Sequence, residues 1–277
     1  MSANMKVYQI YYKNEQVPLL EKGFVPLDNT TNPHPQFQEW YLWDQQYQKC
    51  CDEGLDYWGF VSWKFRDKSN LSSDQFLDWI NANPGYDVYL LNPAIANEAV
   101  FANGWEQGDM WHPGLSDIAN DFLTYAGYED TDVRSMLLDR RRMGFATYFV
   151  ANRKFWDGYI DLSRKIFTLA EKDPEFNQRV FAEGGSGYNL NKSLSNFPFL
   201  NERLVGTYMD LHELNVLPYQ HTDATLHAKY QPYIDEIRAL SDLKVAINDY
   251  DNDSLYNAWV TYRNSLLQRH PEILQLE

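Results

Sequence analysis

Only two cysteines occur in the 277 residues, side by side at Cys50 and Cys51. Neighbouring cysteines seldom form a useful bridge, so the pair reads as helix-face thiols and the chain suits a reducing, cytoplasmic setting. Positive charge is also scarce: 24 Lys and Arg face 39 Asp and Glu, a net charge of −15. That balance argues against binding nucleic acid or anionic lipid, both of which call for clustered cations, so any basic site must be local. Long apolar runs are missing too. None approaches the roughly 18 residues of a spanning helix, and the opening MSANMKVYQIYY lacks the charged-then-apolar order of a signal peptide, so no transmembrane segment is expected. The six histidines lack metal-ligand spacing, and no Walker A loop, zinc pattern or nucleophile elbow occurs.

What the chain has in quantity is aromatic residues, 9 Trp, 20 Tyr and 15 Phe. They supply large buried areas and flat faces for stacking bases and sugars. Met5 to Tyr12 is β-rich and predicts a first strand. The Pro-, Asn- and Thr-dense stretch from Gly23 to Gln36 predicts a loop, and the spacing of Phe37, Trp40, Tyr41, Trp43 and Tyr47 predicts a helix to Cys51, closed by Gly54. A strand follows over Tyr57 to Trp63. Ser72 to Gln75 is a capping signal for a helix that Asn83-Pro84-Gly85 ends, and Tyr86 to Leu91 is a short strand.

Residues 97 to 113 mix aromatic and polar types and predict a loop over a pocket. A helix face at Ile118 to Ala126, a strand at Phe145 to Val150 and a helix carrying Phe155, Trp156 and Tyr159 come next. Gly184, Gly185 and Gly187 lack the strand-to-helix setting of a phosphate-binding fingerprint. Asn201 is a candidate cap for a helix through Leu211, Asn215 to Tyr219 is strand-like, and the rest is helical, with Asp253-Ser254 before a last helix at Leu255 to Leu267. Strands alternating with helices predict an α/β fold with a mainly parallel sheet, residues 1–220, and a helical C-terminal appendage, 221–277, packed on it.

Ligands of such sheets sit beyond the carboxyl ends of the strands. Two stretches, Tyr57 to Arg66 and Phe145 to Tyr159, end in polar, cationic residues and are expected to border the site. The residues to watch are Lys13, Asn14, Lys64, Arg66, Asn92, Asn152 and Arg153. Asp109, Trp111 and His112 add a polar aromatic loop, and Arg140 to Arg142 form a second basic run that also reads as a solvated face.

The ordered series EWYLWDQQY, YWGFVSWKFR, YDVYLLNP, EQGDMWHPGLSDI, FATYFVANRKFWDGYIDL and FPFLNERLVGTYM ahead of NVLPY resembles bacterial GT-A-type glycosyltransferases of capsule and lipopolysaccharide loci, over residues 5 to 220. That group includes a former domain of unknown function. The resemblance implies a GT-A-like Rossmann-type sheet and transfer of a hexose from a nucleotide-sugar donor, uridine-linked, to a glycan or lipid-linked glycan acceptor. Relatives carry His-Tyr-Arg-Arg after the strand matching Tyr57 to Trp63, where this chain has Ser62-Trp63-Lys64-Phe65-Arg66, a departure that bears on donor preference.

Most GT-A enzymes hold the diphosphate through a metal on Asp-x-Asp, and none stands at a strand end here. The spacing in Asp249 to Asp253 reads as a turn capping the last helix. No cofactor is therefore expected beyond a weak manganese or magnesium requirement. On the resemblance Lys64 and Arg66 replace the metal charge, with Asn92 on the donor side and Tyr11, Asp28 and Asn29 meeting uracil and ribose. Glu202 matches the acidic position near the acceptor, with Asp109 and His112 as alternative catalytic groups. Glu202 also reads as a first-turn carboxylate on its helix dipole. Asn152, Arg153 and Trp111 fall on the acceptor side. A catalytically inactive glycan- or nucleotide-binding module of the same fold is the alternative.

Overall fold

The computed structural model describes residues 4–182 and 194–276, so the glycine-rich stretch 183–189 lies outside the described residues. In chain order the strands are β1 (Met5–Tyr11), β2 (Val25–Asp28), β3 (Tyr57–Ser62), β4 (Val88–Leu90), β5 (Phe149–Asn152) and β6 (Val216–Pro218). The helices are α1 (Trp40–Asp52), α2 (Phe65–Ser69), α3 (Ser73–Ala82), α4 (Ile95–Val100), α5 (Gly104–Trp111), α6 (Leu115–Ala126), α7 (Arg153–Lys172), α8 (Pro174–Phe181), α9 (Phe197–Leu211), α10 (Ile234–Tyr250) and α11 (Asp253–Arg269).

The strands form one mixed sheet in the order β2-β1-β3-β5-β4-β6. β5 runs antiparallel to both β3 and β4, and the other pairings are parallel. This α/β sheet is buried on both faces, as mostly parallel sheets are. The period of two sorts its side chains: Tyr8, Ile10, Trp58, Phe60, Phe149 and Ala151 join one aromatic layer with α1, α7 and α9. Val7, Val61, Tyr89 and Val150 face the other way, with Phe24, Phe65 and Phe76. Gly59 permits the closest strand approach, since a Cβ there would lie 2.1 Å from the Phe149 carbonyl oxygen.

A third apolar cluster joins the C-terminal helices to α4. Leu240, Ile247, Trp259 and Leu266 pack with Ala96, Ala99 and Phe101, and the Trp259 indole donates to the Ala99 carbonyl at 3.0 Å. Lys244 is wholly buried there, its ammonium donating to the carbonyls of Glu98 at 2.6 Å and Phe101 at 2.8 Å.

Several expected elements differ. The expected loop after Gly23 contains β2, an edge strand whose Pro26 pairs on one side only, where a missing donor costs nothing. Residues 97 to 113 are helical rather than loop: Asn103 caps α5 by accepting from the amides of Trp105 at 2.9 Å and Glu106 at 2.8 Å. The strand expected over 145–150 starts at Phe149, and α9 starts at Phe197 with Pro198 in its first turn, four residues before Asn201. Asn201 is therefore inside the helix, where its carbonyl and side-chain oxygens accept from the Tyr159 hydroxyl.

Candidate functional site

Because β5 is reversed, the carboxyl ends of β3, β4 and β6 and the residues just before β5 share one edge of the sheet. A cavity of about 600 Å³ opens there. β3 leads into α2, and a helical turn places Lys64, Asp67 and Lys68, at i, i+3 and i+4, on one face toward the cavity. The β4–α4 turn brings Pro93, Ala94 and Asn97, α5 brings Gln107 and Trp111, and α9 brings Phe199, Glu202 and Arg203 at the same helical spacing. His227 and Lys229, beyond β6, close the ring. Lys64, Lys68, Arg203 and Lys229 against Asp67 and Glu202 invert the charge balance of the chain as a whole. Among the described residues Lys64 and Lys68 make no ion pair, and Lys64 lies over the Trp63 ring at 5.1 Å.

Glu202 stands at the junction of this cavity with a second chamber of about 220 Å³, lined by Phe37, Glu39, Trp40, Trp43 and Thr147 and sharing Lys68, Ala146 and Phe199. One carboxylate oxygen accepts from the Ala146 amide at 3.0 Å, and the other is 3.5 Å from Arg203. A quarter of the side chain remains exposed, yet its withdrawal from water raises the carboxyl above its ordinary value, outweighing the opposing pull of Arg203 and Lys68. Ala146 and Thr147 hold left-handed φ angles of 64° and 56° without being glycine. Such backbone costs about 1–3 kcal/mol per residue and collects at functional sites.

Arg203 is locked rather than mobile. Its guanidinium donates to the carbonyls of Gly104 at 2.6 Å and Phe199 at 3.0 Å and to the Gln107 side chain. Gly108 makes the room: a Cβ there would lie 2.6 Å from Arg203 Nε. His112 is buried, stacked on Phe199 with ring centres 3.6 Å apart, and burial beside Arg203 lowers its pKa to about 4. The ring is neutral at pH 7. Among the described residues, Asn97 Oδ1, Trp111 Nε1 and Trp43 Nε1, buried around the two chambers, make no hydrogen bond.

The structure thus brings Lys64, Trp111, His112 and Glu202 together. Other candidates lie elsewhere. Arg66, two residues past Lys64 on a helix, points to the opposite side and grips Glu21 through two bonds of 2.6 and 2.8 Å. Asp109 accepts from the Ser116 amide at 3.0 Å, tying α5 to α6. Asn92 accepts from the Ala94 and Phe145 amides and shapes the turn after β4. Tyr11, Asp28 and Asn29 are at the ends of β1 and β2 but line neither chamber; Asp28 accepts from the Thr30 amide and Asn29 from the Tyr41 hydroxyl.

Asn152 and Arg153 are at the wrong edge. β5 ends opposite Tyr57, where β3 begins, and Asn152 caps α7 by accepting from Phe155 while donating to Asp87. The strand-end rule fails there because it assumes a parallel strand; the stretch serves the site through its beginning, Phe145 to Thr147. Arg140, Arg141 and Arg142 pair with Asp242, Asp139 and Asp210 respectively, and Arg141 with Asp249 as well.

Glu202 sits on the second turn of α9, which removes its first-turn dipole reading. Lys68, Asn97, Gln107, Arg203, His227 and Lys229 escape sequence reasoning. Only Lys68 carries a local signal, the i, i+4 spacing from Lys64. Of the Asp-x-Asp spacings, Asp249 is in the last turn of α10 and pairs with Arg141, Asp251 is in the turn after it, and Asp253 opens α11, which Asn252 caps. No group of three His, Cys, Asp or Glu side chains is placed to hold an ion among the described residues. No helix among them is long and apolar enough to cross a membrane.

Compared with known protein families, with curated proteins and with solved structures, the chain has no match.

Proposed function

We propose that this chain is a glycosyltransferase of GT-A type, moving a hexose from a uridine-diphosphate-linked donor to a glycan or lipid-linked glycan acceptor in bacterial surface polysaccharide synthesis. The observation that carries the reading is the meeting of Lys64 and Lys68 with Glu202 where the large cavity joins the aromatic chamber. Its volume of about 600 Å³ falls within the roughly 300–1,000 Å³ usual for small-molecule sites. A mostly parallel α/β sheet with its cavity on the carboxyl edge supports it at the level of architecture.

The roles follow from charge and shape. In an inverting transfer Glu202 takes the proton of the acceptor hydroxyl, whose oxygen bonds to C1 of the hexose as the bond from C1 to the diphosphate oxygen breaks. The nucleoside diphosphate leaves with the electron pair, and Lys64 and Lys68 neutralise the charge that builds on it. A carboxyl raised by burial is a better base than an exposed one, since its proton affinity lies nearer working pH. Phe37, partly exposed at the mouth of the aromatic chamber, offers an apolar surface to a sugar ring.

A melting series with uridine, guanosine and adenosine diphosphates and their hexose conjugates, with and without manganese, tests the reading. Ligand at a hundred times its Kd adds about 2.7 kcal/mol, which raises the melting temperature by several degrees. The uridine compounds are expected to do so. A series in which no nucleotide moves the transition removes the proposal.

A further inference from the structure

The two chambers that meet at Glu202 differ in charge. The larger sets Lys64, Lys68, Arg203 and Lys229 against Asp67 and Glu202, whereas the smaller sets Glu39 and Glu202 against the shared Lys68 alone. One side of Glu202 therefore favours an anionic group and the other a neutral or cationic one. The smaller chamber is also below the roughly 300–1,000 Å³ usual for a small-molecule site, which leaves room for a single ring rather than a nucleotide.

Glu39 is the charged group there to which the transfer chemistry gives no part. It directly precedes α1 and is partly exposed. The Tyr12 hydroxyl, just past β1, donates to its Oε1 at 2.7 Å and fixes the carboxylate from one side. Among the described residues no hydrogen bond or ion pair engages Oε2, and that oxygen keeps accessible surface. An ionised carboxylate only accepts, so this oxygen calls for a hydroxyl or ammonium donor. Glu202 lies within its field: burial first, and the charge of Glu39 in the same direction, raise the Glu202 carboxyl. The chamber is strained as well. Gln38, directly before Glu39, holds a φ of 48° and lines it with Ala146 and Thr147. Left-handed backbone at non-glycine residues collects at ligand clamps.

We propose that the smaller chamber seats one non-anionic sugar ring of the acceptor, with Glu39 binding the hydroxyl next to the one that Glu202 deprotonates. The inference rests on the transferase reading and adds to it an acceptor class: neutral or amino sugars, not uronic acids.

The test is saturation-transfer NMR on the full chain, with uridine diphosphate at saturation and the methyl glycosides of D-glucose, D-galactose, N-acetyl-D-glucosamine, D-glucosamine and D-glucuronic acid as probes. At least one of the first four is expected to bind, and the glucuronide at least about tenfold more weakly, since its charge meets two carboxylates. Glu39→Gln keeps an oxygen for the Tyr12 hydroxyl but puts an amide donor in place of Oε2. Glycoside affinity should fall at least about tenfold, with uridine-diphosphate affinity and the melting transition unchanged. If that variant does not fold, Tyr12→Phe decides the matter: it leaves the carboxylate charged but unheld, and glycoside affinity should fall at least about threefold. The proposal fails if a chain that binds the nucleotide binds no neutral or amino glycoside, or if the glucuronide binds as well as the glucoside. It fails equally if the deciding variant binds glycosides as the wild type does. Failure of the transferase reading looks different: no nucleotide moves the melting transition, and the acceptor assignment falls with it.

Discussion

Glu202 holds its position through two neighbours that favour its charge, the Ala146 amide at 3.0 Å and the Arg203 guanidinium at 3.5 Å. Burial raises its pKa above the ordinary 4.5 in spite of both. A carboxyl that binds its proton more tightly when folded contributes stability that is complete below the unfolded value and lost as pH rises through the folded one. Ionised Glu202 is consequently a cost to the fold at neutral pH, retained because it faces the cavity. Glu202→Gln keeps an oxygen for the Ala146 amide and removes that cost. Its melting temperature is expected to equal or exceed that of the wild type at pH 7–8, with the advantage vanishing below about pH 4.5. A variant that melts lower at neutral pH would show the charge to be stabilising. The residue's place in the cavity was open to inference only through the resemblance of FLNERL, since the helix it rides on starts earlier than Asn201 suggests.

At the scale of elements, α2 separates two cations that look equivalent in YWGFVSWKFR. A helix turns about 100° per residue, so Lys64 and Lys68 share a side and Arg66 does not. Arg66 instead neutralises Glu21, whose side chain is 7% exposed and which also accepts from the Ser73 amide at 2.9 Å. Arg66→Ala is expected to cost about 1–3 kcal/mol, read as a lower melting temperature, with nucleotide affinity intact. Lys64→Ala/Lys68→Ala is expected to do the reverse: little change in melting, and donor binding at least about tenfold weaker, an effect that salt reduces in the wild type. Calorimetric titration beside thermal melts separates the pairs, and equal loss of binding in both would return Arg66 to the site.

The elements with one strong local signal are legible in the chain: Ser72 and Gln75 form the reciprocal cap of α3, Asn252 caps α11, and the Phe155, Trp156, Tyr159 and Ile160 face lies buried on α7. The helix over 104–111 is not, because its glycines, Gly104 and Gly108, serve the fit around Arg203 rather than helix propensity. Nor is the direction of β5 legible. A strand four residues long has the same alternation either way round, and only its partners decide.

Across the whole molecule, the C-terminal helices do more than append to the sheet. Trp259 and Lys244 reach the backbone of α4, whose other side lines the large cavity, and the segment between β6 and α10 adds His227 and Lys229 to that cavity. Trp259 is fully buried, so Trp259→Ala is expected to cost about 3–5 kcal/mol, seen as a shift in the denaturation midpoint. A shift under about 1 kcal/mol would mean the helices pack only loosely. This long-range assembly is what single-sequence reasoning cannot supply, because Lys229 and Lys64 become neighbours of one cavity only after the sheet has ordered its strands.

The most direct test of the central claim is the time course of hexose release from uridine-diphosphate hexoses in water, measured beside nucleotide affinity for the wild type and Glu202→Gln. Slow release by the wild type, a fall of about 10²–10⁴-fold in the variant and unchanged nucleotide binding are expected. Nucleotide binding without release in the wild type, or equal release by both chains, would contradict it.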